Sequence, residues 1–143
     1  MNIADTSFLF SLYGKDAHTP AAIAWTGAQN KRISTGVLGH YELANALRFA
    51  AFRKVISLPD ATNALAAFES DIKSGYLGIV QTDLAQVVAE AMRLSALHTC
   101  AGGHRAFDIL HVATARLAKA KLFLSFDNNQ RKLAAAAGLA VGP

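Results

Sequence analysis

The stretch RAFDILHVATARLAKAKLFLSFDNNQ, residues 105–130, contains two different hydrophobic periods in close succession. Over 105–118, Ile109, Val112, Ala113 and Leu117 recur at helical spacing, while KLFLSF at 121–126 is a short apolar run that reads as a strand. NNQRKLAAAA then reads as a helix, with Gly138 as its terminating residue and LAV as a last edge strand. A helix that feeds a strand and then another helix predicts a parallel sheet covered on both faces. Two carboxylates sit in this apolar stretch, Asp108 within the helix and Asp127 at the end of the strand. Burying a lone carboxylate costs several kcal/mol or more unless its charge is compensated, so both need an explanation.

The same alternation extends towards the N-terminus. MNIAD reads as a short strand closed by Asp5, followed by a helical SFLFSLYG, and residues 18–29 form a second helical pattern. RIST at 32–35 reads as a buried strand. A helix over about 37–54 is expected to carry Val37, Leu38, Tyr41, Ala44 and Leu47 on one stripe. Ser57 and Asp60 have capping-box spacing, with Pro59 early in a helix that runs through Ala61, Leu65, Phe68 and Ile72 and stops at Gly75. YLGIVQ at 76–81 is strand-like. Asp83, with Gln86 three residues on, opens a helix carrying Leu84, Val87, Val88, Ala91 and Leu94, and Gly102-Gly103 break the chain before Asp108. No long linker or repeat interrupts the pattern, so residues 1–143 are expected to form one α/β domain.

A chain of 143 residues with 52% hydrophobic and 17% charged residues can bury a core without staples, which argues against disorder. The single cysteine, Cys100, has no partner for an internal disulfide and is expected to be a small buried hydrophobe in a reducing compartment. MNIADTSFLF has no signal-peptide order and no apolar run reaches membrane-spanning length, so a cytoplasmic protein with no membrane partner is expected. The net charge of +4 permits an anionic partner. Basic residues cluster as Lys31-Arg32, Arg53-Lys54, Lys119 with Lys121, and Arg131-Lys132, an ensemble that tilts the reading towards nucleic acid.

With only ten acidic residues, each can be assigned. Asp60 and Asp83 cap helices. Glu69 before Lys73, Glu90 before Arg93, Asp16 after Lys15, and Asp71 read as surface charges. Asp5, Glu42, Asp108 and Asp127 remain, all in apolar settings. Each also has a local explanation: Asp5 and Asp127 as helix caps, the latter boxed by Gln130, Glu42 paired with Arg48 or a distant base, and Asp108 paired with Arg105. Jointly they suggest more. Catalytic groups of parallel sheets gather outside the carboxyl ends of strands, where Asp5 and Asp127 lie, and Glu42 and Asp108 stand near the starts of helices that could face the same cleft. Four gathered carboxylates repel one another unless neutralised, and hard Mg²⁺ or Mn²⁺ suits oxygen ligands.

At these positions the chain resembles the PIN-domain nucleases, in particular the VapC-type toxins of toxin–antitoxin pairs. DTS at 5–7 is similar to the family's first-strand Asp with its hydroxyl follower, and STGVLGHYELANALR at 34–48 to its Glu-bearing helix. RAFDILHVATA at 105–115 is the most specific match, resembling the third-acid helix. LSFDNNQRKLA at 125–135 resembles the fourth acid and its helix, and AAAGLAV the closing segment. The resemblance covers essentially the whole chain. It implies a three-layer α/β/α sandwich around a mostly parallel sheet, Mg²⁺- or Mn²⁺-dependent endoribonuclease activity, a homodimer, and a small cognate antitoxin. The short first strand, with Asn2 and Ala4, and His40 ahead of the Glu helix are departures.

On this reading Asp5 and Asp108 are direct metal ligands, with Glu42 and Asp127 completing the cluster directly or through water. Glu42 is the candidate to orient or deprotonate the attacking water. Thr6, Ser7 and Asn128 are candidate hydrogen-bond supports of the ligands, and Arg105 a candidate phosphate contact. His111, one turn after Asp108, is expected to pack or hydrogen-bond locally. A haloacid-dehalogenase phosphatase would need an Asp where Ser7 stands, and a receiver domain would need clustered N-terminal acids. The competing reading from another class is a PIN-like module that binds RNA or protein without cutting.

Overall fold

The computed structural model describes residues 1–29 and 32–143. Five short strands, β1 (Asn2–Ala4), β2 (Ile33–Gly36), β3 (Leu77–Val80), β4 (Leu122–Leu124) and β5 (Ala140–Gly142), pair in the order β3-β2-β1-β4-β5, every pair parallel. The helices are α1 (Thr6–Tyr13), α2 (Thr19–Ala28), α3 (Val37–Phe52), α4 (Leu58–Ser74), α5 (Leu84–Gly102), α6 (Ala106–Leu117) and α7 (Asn128–Ala136). They form the outer layers of an α/β/α sandwich. Alternation along the central strands divides the core. Ala4 and Leu124 face a cluster with Phe8, Leu43, Leu47 and Phe68 from α1, α3 and α4. Ile3 and Phe123 face Leu94, Val112, Leu133 and their neighbours from α5, α6 and α7.

Connections from β1 first build outward through β2 to β3, and the chain then returns to β4 and β5 on the other side. The order therefore reverses between β1 and β4, where a parallel sheet opens a crevice beyond its carboxyl ends. Ala4 lies opposite Leu124, and the Asp5 amide donates to the Leu124 carbonyl at 3.0 Å. That register brings the residues after β1 and β4 side by side.

Local rules set most boundaries. Ser57 and Asp60 form the reciprocal capping box, Asp83 caps α5 through the Ala85 and Gln86 amides, and Gly75 stops α4 at φ +79°. Several details differ from the sequence reading. KLFLSF contributes only Leu122–Leu124 to the sheet, because Ser125 and Asp127 turn into the next helix. Val37 and Tyr41 point to solvent, while Gly39, Leu43, Leu47 and Ala50 face the core. The tight contact of Gly39 with Thr35 sets that rotation. On α5, Leu84 and Val88 are exposed and Val87 and Leu94 are buried. Cys100 is exposed, because it lies on the outer side of the last turns of α5. Of the basic pairs, Lys31 lies outside the described residues. Among the described residues, no helix is long and apolar enough to cross a membrane.

Candidate active site

The residue after each central strand is an aspartate or leads to one. Asp5 follows β1, caps α1 through the Phe8 amide at 2.9 Å, and is completely buried. Ser7 Oγ lies 2.8 and 3.0 Å from the two Asp5 carboxylate oxygens, and accepts from the Phe126 amide at 2.9 Å. This hydroxyl ties the β1 end to the β4 end. Burial pushes the Asp5 carboxyl pKa up, against the pull of the Ser125 hydroxyl, the Phe8 amide, Ser7 and the charge of His111. Its negative charge is under-compensated by the protein alone.

Asp127 caps α7 through the Asn129 and Gln130 amides at 2.8 and 2.9 Å. The Gln130 side chain does not complete a box. It donates instead to the Asp108 carbonyl at 3.3 Å, tying α7 to α6. Asp108, in the first turn of α6, is buried and pairs with Arg105 Nε at 2.9 Å. The same guanidinium reaches Asp127 at 3.1 Å, so Arg105 bridges two carboxylates from separate segments. Capping and pairing thus occur as local chemistry predicts, and they occur inside a shared cleft.

Glu42, on α3, approaches from the opposite layer. Its Oε2 accepts from Thr6 Oγ1 and lies 2.6 Å from His111 Nε2. Burial pushes the Glu42 pKa up, but hydrogen bonds with His111 and Thr6 and the charges of His111 and Arg105 outweigh it, holding the carboxyl below its usual range. His111 packs locally, its ring 6.3 Å from that of Phe107 one turn earlier, but its hydrogen-bonding partners lie on other elements. Thr6, Ser7, Glu42, Arg105, Asp108, His111, Asp127 and Gln130 line one cleft of about 400 Å³, with Asp5 buried against Ser7. Asn128 opens α7 with its side chain exposed, outside the cleft lining.

Glu42, Asp108 and Asp127 thus line one cleft at the switch point, Asp5 lies buried behind Ser7, and each is already engaged by protein donors. Among the described residues, no three His, Cys, Asp or Glu side chains form a group arranged to hold an ion. The cleft nonetheless offers hard oxygen donors, and Asp108 and Asp127 already share one positive group.

A family profile described as the PIN domain matches residues 3–136. The chain belongs to the PIN-domain family. Similar solved structures include VapC20 of Mycobacterium tuberculosis, a sarcin–ricin loop cleaving toxin, at 18% identity over 98% of this chain and 97% of that one, with a TM-score of 0.72. FitAcB from Neisseria gonorrhoeae is 14% identical over 100% and 97% of the two chains, TM-score 0.66. A toxin–antitoxin complex from Klebsiella pneumoniae is 11% identical over 89% and 87%, TM-score 0.62. No curated protein matches significantly. At these identities the likeness shows the fold of this PIN domain.

Sequence reasoning gave His111 and Gln130 only local roles and did not single out Ser125, which supports the Asp127 turn. The cleft partners of His111 and Gln130 are distant in the chain: Glu42 is 69 residues from His111, and the Asp108 carbonyl is 22 from the Gln130 amide. All four acidic residues assigned to the surface have partners that the sequence reading did not name, Asp16 with Ser11 and Glu90 with Arg116 among them. The Tyr13 hydroxyl donates to Asp71 at 2.7 Å, and Glu69 meets His40 at 2.7 Å rather than Lys73.

Proposed function

We propose that this PIN domain is a metal-dependent endoribonuclease, the toxin of a toxin–antitoxin pair, with residues 1–143 acting as one unit in the cytoplasm. One observation carries the reading: Glu42, Asp108 and Asp127, from three separate segments, line one cleft at the switch point of a parallel sheet, and Asp5 lies buried against Ser7 of that lining. A shared carboxylate cleft with hard oxygen donors suits Mg²⁺ or Mn²⁺. Asp5 and Asp108 would hold the ion directly, with Glu42 and Asp127 completing the set directly or through water. When bound, the ion lowers the pKa of a coordinated water and offsets charge on the phosphate oxygens.

The chain's own residues supply the rest. Glu42, held ionised by His111 and Thr6, is oriented to accept the proton of the attacking water. Ser7 fixes the Asp5 carboxylate against the Phe126 amide, so the β1 and β4 ends cannot drift apart. Arg105, with its side chain 73% exposed, is free to exchange its carboxylate contacts for a phosphate. A cognate antitoxin is the proposed protein partner, in line with the toxin–antitoxin complex among the structural relatives. A second copy of the chain is the other proposed partner.

Incubating the purified protein with total RNA, with Mg²⁺ or with EDTA, tests the activity. Asp108→Asn should reduce metal-dependent cleavage at least a hundredfold, roughly what loss of one key charged group costs, with an unchanged circular dichroism spectrum. Cleavage indifferent to EDTA, or an unimpaired variant, would defeat the proposal. The competing reading, an RNA- or protein-binding module, is favoured by the protein partners already on every carboxylate. It predicts no rise in melting temperature on Mn²⁺ addition, whereas a metal-binding site is stabilised by mass action.

A further inference from the structure

Three flat rings run in a near-parallel column from the core to the rim of the acidic cleft. Phe8, fully buried, stacks on Phe126 with centroids 5.6 Å apart and planes within 12°. Phe126 stacks on His18 at 4.5 Å and 5°. Trp25 closes the inner end edge-on against Phe8 at 5.7 Å. Both Phe126 and His18 line the cleft, and Phe126 immediately precedes Asp127. The outermost ring, His18, is exposed.

The loop presenting that ring is fixed by hydrogen bonds. Asp16 accepts from the His18 amide at 2.8 Å and from Ser11 Oγ at 2.8 Å, and its own amide donates to Thr19 Oγ1 at 3.0 Å. Among the described residues the His18 ring makes no hydrogen bond, so its orientation rests on the stack. A pre-ordered ring with one face open at the edge of a phosphate-cleaving cleft offers what an unpaired base requires. Base-on-ring stacking depends little on sequence, because every base has a π-face.

We propose that the outer face of His18 is a stacking platform for one unpaired nucleobase of the RNA strand, adjacent to the phosphate at the carboxylate cluster. This rests on the ribonuclease reading and extends it: the platform selects single-stranded RNA and fixes the register of the cut. A duplex, with its bases already stacked on one another, cannot use it.

The test measures binding of a short unpaired RNA, containing a site that the protein cuts, to the Asp108→Asn chain with and without His18→Ala or His18→Phe. Stacking on an aromatic side chain is worth about 1–3 kcal/mol per base, so His18→Ala should weaken binding roughly tenfold. His18→Phe should retain most of the affinity. Oligomers with a single abasic position should show coupling to His18→Ala at one position only, next to the cut. In the chain with Asp108 intact, His18→Ala should raise KM about tenfold for the same RNA and leave kcat within about twofold, the signature of lost uniform binding. Wild-type affinity in His18→Ala, or equal coupling at every abasic position, would overturn the platform while leaving the nuclease reading standing. If the unsubstituted protein neither binds nor cuts RNA, both fall together, and that outcome is read first from the total-RNA assay.

Discussion

Arg105 places a positive group where a divalent ion would have to act. It reaches both oxygens of Asp108, at 2.9 and 3.4 Å, and one of Asp127 at 3.1 Å, so an ion held by these carboxylates would have to displace Arg105. The guanidinium is largely exposed, and screening limits its contribution to the metal-free protein to about 1 kcal/mol. Arg105→Gln removes that competitor. It should lower the melting temperature without metal by a few degrees, and raise Mn²⁺ affinity about fivefold, the equivalent of 1 kcal/mol. Calorimetric titration checks the second figure. An affinity no higher than wild type would mean that the bridge and the ion do not compete. The conflict was readable in the sequence as far as its charges went, because Asp108 and Arg105 are one turn apart. The bridge to Asp127 was not, since it depends on how the start of α6 sits beside the start of α7, 22 residues away in the chain.

At the scale of elements, the turn from β2 into α3 decides where Glu42 points. A Cβ on Gly39 would fall 2.2 Å from Thr35 Oγ1, a hydroxyl that donates to the Ala4 carbonyl at 3.0 Å. Gly39→Ala should therefore cost about 1–3 kcal/mol by overpacking. It should also lower cleavage further than the stability loss explains, because Glu42 lies one turn on. Thermal melts alongside initial rates separate the two effects, and adding Thr35→Ala should recover part of both by removing the obstructing hydroxyl. Full activity in Gly39→Ala would show that α3 tolerates a shift and that Glu42 is not held tightly. This turn also shows why one helix face was misread. Val37 and Tyr41 are apolar and helically spaced, yet the close approach at Gly39 rotates them into solvent and turns Leu43 and Leu47 inward. Caps and glycine stops were legible at Ser57, Asp83 and Gly75 because their chemistry is local. The length of β4 was not, because Ser125 spends its hydrogen bonds on the turn that presents Asp127.

Across the whole molecule the site straddles both helical layers, so its geometry depends on how firmly the outer layers are tied down. Asp108 and Asp127 belong to the α5–α7 layer, and Glu90 is its clasp. Its Oε1 accepts from Arg116 of α6 at 2.6 Å and from Arg93 at 2.8 Å, and Arg116 donates in turn to the Ala137 carbonyl at the end of α7. Hydrogen bonding from Arg93, opposed by burial and aided by Arg116, holds the Glu90 carboxyl down to about 2, against its ordinary 4.5. A folded value below the unfolded one means that the stabilisation is complete above about pH 4.5. It is lost as the pH falls from there towards 2. Glu90→Gln should therefore cost about 1 kcal/mol at pH 7, given the exposure of Arg93, and should flatten the decline in stability across that acidic window. Urea unfolding at pH 7, 4.5 and 3 measures both. An acid slope as steep in Glu90→Gln as in the unsubstituted protein would move the responsible group elsewhere, with Glu42, the other depressed carboxylate facing a cation from a second element, as the next to substitute.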